Sequence, residues 1–499
     1  MAPASHFDPH PPRKILVVVT VGGSTNSAPI LEICRILAAR GHVIEFATLE
    51  GRADLAAAYP FVSTVHLVGR AVTPDEDRQL YDKFSRWDNK TQRGRNDMIE
   101  CKKFYDSWWP EVYRRLLHVV THVSCPDFIF SDYQVEAARD VAQHCCIPLA
   151  SMWPQMPWLM APHSWIPGEP GTQVRCLTSE HASMWDRLYD QTYLVRYAPQ
   201  LLHLFLWTRS MRKQAGVHSM PALKPKPDNL VLVNSFWGLE PAKDVPPLLQ
   251  PVGPLLSDSY APLDDTTIKF LNTKTSVVYV AFGTHVILTP EKVDRLIRGL
   301  CCALEQGSVD GIIWALRGPT RDGLDPQRPY PALLEGSKDQ YTVGHLLANQ
   351  HPSWLILEYA PQRAVLDHPS TTLFVTHAGP SSANESLFHG VPMVSIPFYG
   401  DQIQHDLRLV AAGVAKGVDK DTFTPAQLAS IISAMILDTD GEIGRNVRRM
   451  QRIAHVASRG KHFAADLIEE YMYDWGLRFE LDPAEQSTSS HVKGLNGDG

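Results

Sequence analysis

The chain has 499 residues, enough for two or three domains with well-buried cores. Its formal net charge of −7 argues against a nucleic-acid partner, which would demand a basic face. Eight cysteines without a CxxC (Cys145-Cys146 and Cys301-Cys302 are adjacent pairs) make no disulfide framework and suit a reducing cytosol; 21 histidines without HExxH or comparable spacing point to no metal site.

In chain order, Met1 to Lys14 is rich in Pro and His and is no signal peptide, so residues 1–12 read as a disordered N-terminus. Residues 14–20 form a continuous apolar strand, and Gly22 to Pro29 reads as a turn opening onto a ligand cleft. Residues 28–40 place Ile30, Ile33, Cys34 and Leu37 on one helical stripe that Gly41 stops, and Val43 to Ala47 is the next strand. The rhythm recurs at 126–152, and "NLVLVN" (229–234) reads as the last strand of this half. Strands alternating with helices imply a parallel sheet covered on both faces. The run "KTQRGRND" (90–97) reads as a solvated loop. "APQLLHLFLWTRSMRK" (198–213) reads as a buried helix, with a peripheral membrane contact as its alternative. No segment nears the roughly 20 apolar residues that span a bilayer.

A proline-rich linker, 238–262, separates this N-terminal domain (13–237) from a second strand–helix series (263–456). Its strands fall at 276–284, 311–316, 354–359, 372–377 and 392–396, with Thr289 as N-cap of a helix beginning near Pro290. A helix over 457–476 packs back toward the N-terminal domain, and 477–499 reads as a disordered tail. The fold class is therefore α/β, with two doubly wound Rossmann-like domains whose strands present their carboxyl ends to an interdomain cleft.

Neither GxGxxG nor GxxxxGK[ST] occurs, so hydride transfer and ATP hydrolysis lose their usual signatures. The chemistry concentrates in "EYAPQRAVLDHPSTTLFVTHAGPSSANESLFHGVPMVSIPFYGDQIQHD" (358–406). There a strand ends in His377-Ala378-Gly379 and a helix starts at Pro380 to Ser382. Free N–H groups at that start, with the Ser381 and Ser382 hydroxyls and His377, make an anion site sized for phosphate. Glu385, one turn on, can accept both hydroxyls of a ribose.

This stretch resembles the donor-binding box of the UDP-dependent glycosyltransferases, a two-domain GT-B family. The spacing from Tyr359 through Pro361-Gln362, His377, Gly379, Ser382, Glu385 and Gly390-Val391-Pro392 to Asp401-Gln402 matches the plant pattern without a gap, while the first loop looks more like the fungal branch. The resemblance implies that Tyr359, with Ala360 beside it, stacks on uracil where a Trp is usual, that Gln362 contacts the uridine, and that Glu385 binds the ribose. Gly283, Thr284, His377, Gly379, Ser381 and Ser382 would hold the diphosphate. Asp401 and Gln402 would bind the sugar hydroxyls, a Gln there leaning toward glucose. Pro380 replaces a plant Trp that borders the sugar. No cofactor is implied beyond UDP-glucose as co-substrate.

In this family a first-loop His, oriented by an Asp after a later strand, deprotonates the acceptor. Fungal relatives read Gly-Gly-x-Thr-His-x-x-Pro; here the sequence is Gly22-Gly23-Ser24-Thr25-Asn26-Ser27-Ala28-Pro29, so Asn26 holds the base position and Asp132 the orienting one. An amide takes no proton near neutral pH. Four answers stay open: an acceptor already ionised, such as a carboxylate or acidic phenol; Asp132 as direct base; an amine nucleophile; or a catalytically silent UDP-sugar-binding accessory protein. On the acceptor side, Trp153, Met156, Trp158 and Met160 would form an adaptable apolar wall for a phenol, polyketide or terpenoid of the kind found in secondary metabolism. The expectation is an inverting hexosyltransferase, cytoplasmic and monomeric.

Overall fold

The computed structural model describes residues 11–88, 91–157, 177–178, 180, 182–220, 229–330, 341–438 and 441–478. Two parallel sheets organise them. The first comprises β1 (Lys14–Val18), β2 (Val43–Leu49), β3 (Val62–Gly69), β4 (Phe128–Asp132), β5 (Leu149–Trp153), β6 (Leu230–Val233) and β7 (Leu249–Pro251), in the order β3-β2-β1-β4-β5-β6-β7. The second comprises β8 (Val277–Ala281), β9 (Gly311–Ala315), β10 (Trp354–Leu357), β11 (Thr371–Thr376), β12 (Met393–Ser395) and β13 (Ala415–Gly417), in the order β10-β9-β8-β11-β12-β13.

Alternate side chains of a strand point to opposite faces, and both faces here are covered. Ile15 and Val17 of β1 pack into one core while Leu16 and Val18 pack into another. In β8, Val278 and Val280 face one layer, and Val277 and Tyr279 the other. In both sheets the strand order reverses at the first strand, between β1 and β4 and between β8 and β11. Such reversals leave a crevice at the strands' carboxyl ends.

Several sequence expectations need correcting. The helix after β1 spans Ser24–Ala39, so most of the expected turn, Asn26 included, is helical. Gly22 (φ 86°) and Gly23 (φ 68°) complete the turn in two residues, which lets the helix start four residues early. Of the run at 90–97, expected as a loop, residue 90 lies outside the described residues, and 92–97 belong to a helix, Gln92–Asp106, which Thr91 caps by accepting from the Gly94 amide. Residues 229–234 are not the last strand of their half: β7, inside the expected linker, pairs with β6. Helix Tyr193–Gln214 is no buried helix; Leu202, Phe205 and Leu206 are exposed. Thr289 sits at the N-cap of helix Pro290–Glu305 without making a side-chain capping bond. The last helix runs Gly460–Arg478, past the expected start of the tail at 477. Its Ala464, Ala465, Ile468 and Met472 complete the core beneath Ile30, Ile33 and Leu37 of helix Ser24–Ala39, and Arg40 pairs with Asp466 at 2.6 Å. No helix among the described residues is long and apolar enough to cross a membrane.

The two halves meet through buried polar contacts. Arg408, on helix Asp401–Ala411, lies 2.8 Å from Glu240 and donates to Gln155 Oε1 at 2.7 Å. The Arg408–Glu240 contact is off the hydrogen-bond axis, so its attraction is mainly Coulombic. Glu240 Oε1 also accepts from Ser235 Oγ at 2.8 Å. Asn384 Nδ2 donates to the Asn234 carbonyl at 3.0 Å, and the Lys420 ammonium to the carbonyls of Ser85, Trp87 and Phe398. Removing one partner of a buried ion pair strands the other charge. Arg408→Ala is therefore expected to cost about 3–5 kcal/mol in denaturant unfolding, whereas Arg13→Ala, whose exposed pair with Asp127 spans 3.4 Å, should cost under about 1 kcal/mol.

Candidate active site

The carboxyl ends of β1, β4, β8 and β11 converge on a cavity of about 460 Å³. Every expected donor-site residue lines it, from Gly283 and Thr284 through Tyr359, Ala360 and Gln362 to Asp401 and Gln402. Tyr359 is 77% exposed and presents an open ring for stacking. Behind it, Gln362 Nε2 donates to Glu385 Oε2 at 2.7 Å and Ser382 Oγ at 3.2 Å. Burial pushes the Glu385 carboxyl up to about 7, against the Gln362 hydrogen bond and the Arg363 charge that favour ionisation. A desolvated carboxylate of this kind gains most from two hydroxyl donors.

Helix Pro380–His389 begins at Gly379 with no side-chain cap and no acidic residue in its first turn. Its free amides and positive dipole end therefore face the cavity. The His377 imidazole lies against Gly379, where a Cβ would stand 2.4 Å from Nε2, so only glycine fits this position. Burial drives the His377 pKa down to about 3, with His285 lowering it further. The neutral ring bonds the Ala281 carbonyl. Donating to a diphosphate as well calls for a second proton, which an adjacent dianion favours. Sequence reasoning missed His285. It stacks on Tyr81 at 4.4 Å and is held near pKa 4 by burial and by the Arg52 and Arg317 charges. Its place beside Thr284 was the available signal. Arg317 lines the same cavity.

On the opposite wall, Asn26 Nδ2 donates to Asp132 Oδ2 at 2.8 Å, and the Gln134 amide donates to Asp132 Oδ1 at 3.0 Å. Asn26 folds over the glycine turn: a Cβ on Gly22 would lie 2.1 Å from its Oδ1. Burial raises the Asp132 carboxyl to about 6, opposed by these hydrogen bonds. Asn26 lines the cavity, whereas Asp132 is absent from the lining of both described cavities and is only 2% exposed.

A second cavity of about 260 Å³ adjoins the first. Its wall is largely aromatic and apolar: Trp87, Met98, Trp153, Met156, Tyr193 and Tyr197. Trp153 and Met156 are thus brought together, while Trp158 and Met160 lie outside the described residues. Tyr133, Pro154, Gly400 and Asp401 belong to both walls. Gln402 Oε1 accepts from the amides of Phe398 (2.9 Å) and Tyr399 (3.3 Å), which closes the loop before its helix. Its oxygen is thus committed to the backbone, and its amide nitrogen, which also hydrogen-bonds the Tyr399 side chain, keeps one hydrogen for a sugar. Among the described residues no group of three His, Cys, Asp or Glu could hold a metal ion.

This architecture is that of the GT-B glycosyltransferases: the solved glycotransferase of kitacinnamycin matches 92% of this chain and 99% of its own with a TM-score of 0.61 at 20% identity. Residues 215–457 match the family described as UDP-glucoronosyl and UDP-glucosyl transferase. The chain is 52% identical over 483 residues to the UDP-glycosyltransferase FPY2 of Fusarium mangiferae, covering 97% of this chain and 88% of that one. It is 46% identical over 473 residues to the UDP-glycosyltransferase stmC of Aspergillus ustus, covering 94% and 88%. The chain belongs to the UDP-glycosyltransferase family, on its fungal branch, and is an enzyme of that class.

Base–aromatic stacking is worth roughly 1–3 kcal/mol per base. Tyr359→Ala is accordingly expected to weaken UDP binding by roughly 5- to 150-fold in calorimetric titration. Tyr359→Trp should tighten it.

Proposed function

We propose that this enzyme transfers glucose from UDP-glucose, with inversion, to a phenolic or carboxylic oxygen of an apolar small molecule seated in the second cavity. The observation that supports the reading is the wall that the polar cavity shares with the aromatic one, formed by Tyr133, Pro154, Gly400 and Asp401. The uracil stacks on Tyr359, the ribose hydroxyls meet Glu385, and the diphosphate sits at the start of helix Pro380–His389. The acceptor oxygen attacks the anomeric carbon as the bond to UDP breaks, and charge grows on the diphosphate. The helix start, Ser381 and Ser382, and the Arg317 charge stabilise that charge. Asp401 accepts from the sugar hydroxyls and Gln402 donates to them.

Asp132 is closed off by Asn26, which argues against its acting as direct base. It holds Asn26 in place. An amide nitrogen has two hydrogens. With one committed to Asp132, the other is free to bind and position the acceptor's oxygen.

The test is mass-spectrometric detection of transfer from UDP-glucose to phenols, carboxylic acids, aliphatic alcohols and amines. Phenols or acids should gain one hexose, and Asn26→Ala should lower the rate by roughly tenfold, the scale of one positioning hydrogen bond. Transfer restricted to amines, or to polar sugars, contradicts the reading.

A further inference from the structure

A phenol that is protonated at neutral pH must lose its proton during attack, and neither residue of the family's usual pair can take it: Asn26 is an amide and Asp132 is sealed behind it. The geometry points to Asp401 as the general base. This inference rests on the phenol reading of the second cavity and adds to Asp401 a role beyond sugar contact.

Three observations carry it. Asp401 is the one carboxylate among the described residues that lines both cavities, so it stands where donor and acceptor meet. It is the first residue of helix Asp401–Ala411, and the backbone amides of Asp401 and Gln402 donate to its carboxylate, which fixes its direction. Arg408, two turns along the same helix, is pinned to Glu240 and Gln155 and so sets the rotation of that helix. The groups set against Asp401 are Arg408 on its own helix, Tyr133 after β4 and Tyr399 before the helix. Burial raises its carboxyl to about 6, against the amide bonds and the Arg408 charge, which brings it within range of a working base.

In the step, the acceptor oxygen bonds to the anomeric carbon and the bond from that carbon to the diphosphate oxygen breaks. The electron pair leaves with UDP, and the acceptor's proton passes to an Asp401 oxygen. No further reactant is needed.

The experiment compares wild type with Asp401→Asn on two acceptors, a naphthol and a dinitrophenol that is already ionised, alongside calorimetric binding of UDP. With the naphthol, kcat/KM of the wild type should rise with pH as Asp401 loses its proton through about 6. Asp401→Asn should remove that limb and lower kcat by roughly 10²–10⁴-fold. Whatever Asp401 contributes as a sugar contact is lost alike on both acceptors, so the variant's loss on the naphthol should exceed its loss on the dinitrophenol by roughly 10²-fold or more, while UDP, which carries no sugar, binds as it does to wild type. An equal loss on both acceptors would reduce Asp401 to a sugar contact and overturn the proposal. Should the variant fail to fold, the wild type decides alone: a limb present for the naphthol and absent for the dinitrophenol supports the proposal, and the same limb for both overturns it. Wild-type transfer to neither phenol, with UDP still bound, sinks the phenol reading and the proposal together.

Discussion

An arginine and a glutamate with almost no exposed surface hold this molecule's two halves in register. Arg408 belongs to the donor half; Glu240 follows β6, and Gln155 follows β5, in the other. Two buried charges cost several kcal/mol each to desolvate, so the pair adds little to net stability. What it does is fix geometry. Helix Asp401–Ala411 can turn neither way without breaking the contact, and so Asp401 and Gln402 at its start face the junction of the two cavities. The Asn384–Asn234 bond and the Lys420 ammonium, which donates to the carbonyls of Ser85 and Trp87, reinforce the same seam.

Within that frame the two walls of the cleft have opposite electrical character. The donor wall is built to receive negative charge: an uncapped helix start, a buried neutral histidine and the Arg317 charge. The wall from the first sheet presents an amide, Asn26, whose hydrogen bond shields the nearest carboxylate. Proton chemistry therefore cannot run from Asn26 at the start of the first helix. The nearest group with suitable placement stands across the cleft.

Much of this was legible in the sequence because it resides in local pattern. Continuous apolar strands ending in glycine, and the spacing from Tyr359 to Gln402, define both sheets' switch points and the donor site without reference to distant residues. What escaped depends on long-range packing. The edge strands β3 and β7 carry weak signals: most side chains of β3 are partly or fully exposed, and β7 lies among prolines. The early start of helix Ser24–Ala39 is set by two left-handed glycines, which a stripe of apolar residues beginning at Ile30 does not reveal. The sealing of Asp132 by Asn26, residues 106 positions apart, and the sharing of Asp401 between two cavities follow only from the fold.

With Asp401 as base, a carboxylate and not an imidazole receives the acceptor's proton. The temperature dependence of the acid limb of the wild-type pH–rate profile tests it most directly, since carboxylic acids ionise with almost no enthalpy and imidazolium ions with a large one. The expected result is an apparent pKa near 6 that stays fixed on warming. A value that falls steadily with temperature, as a histidine's does, would contradict it.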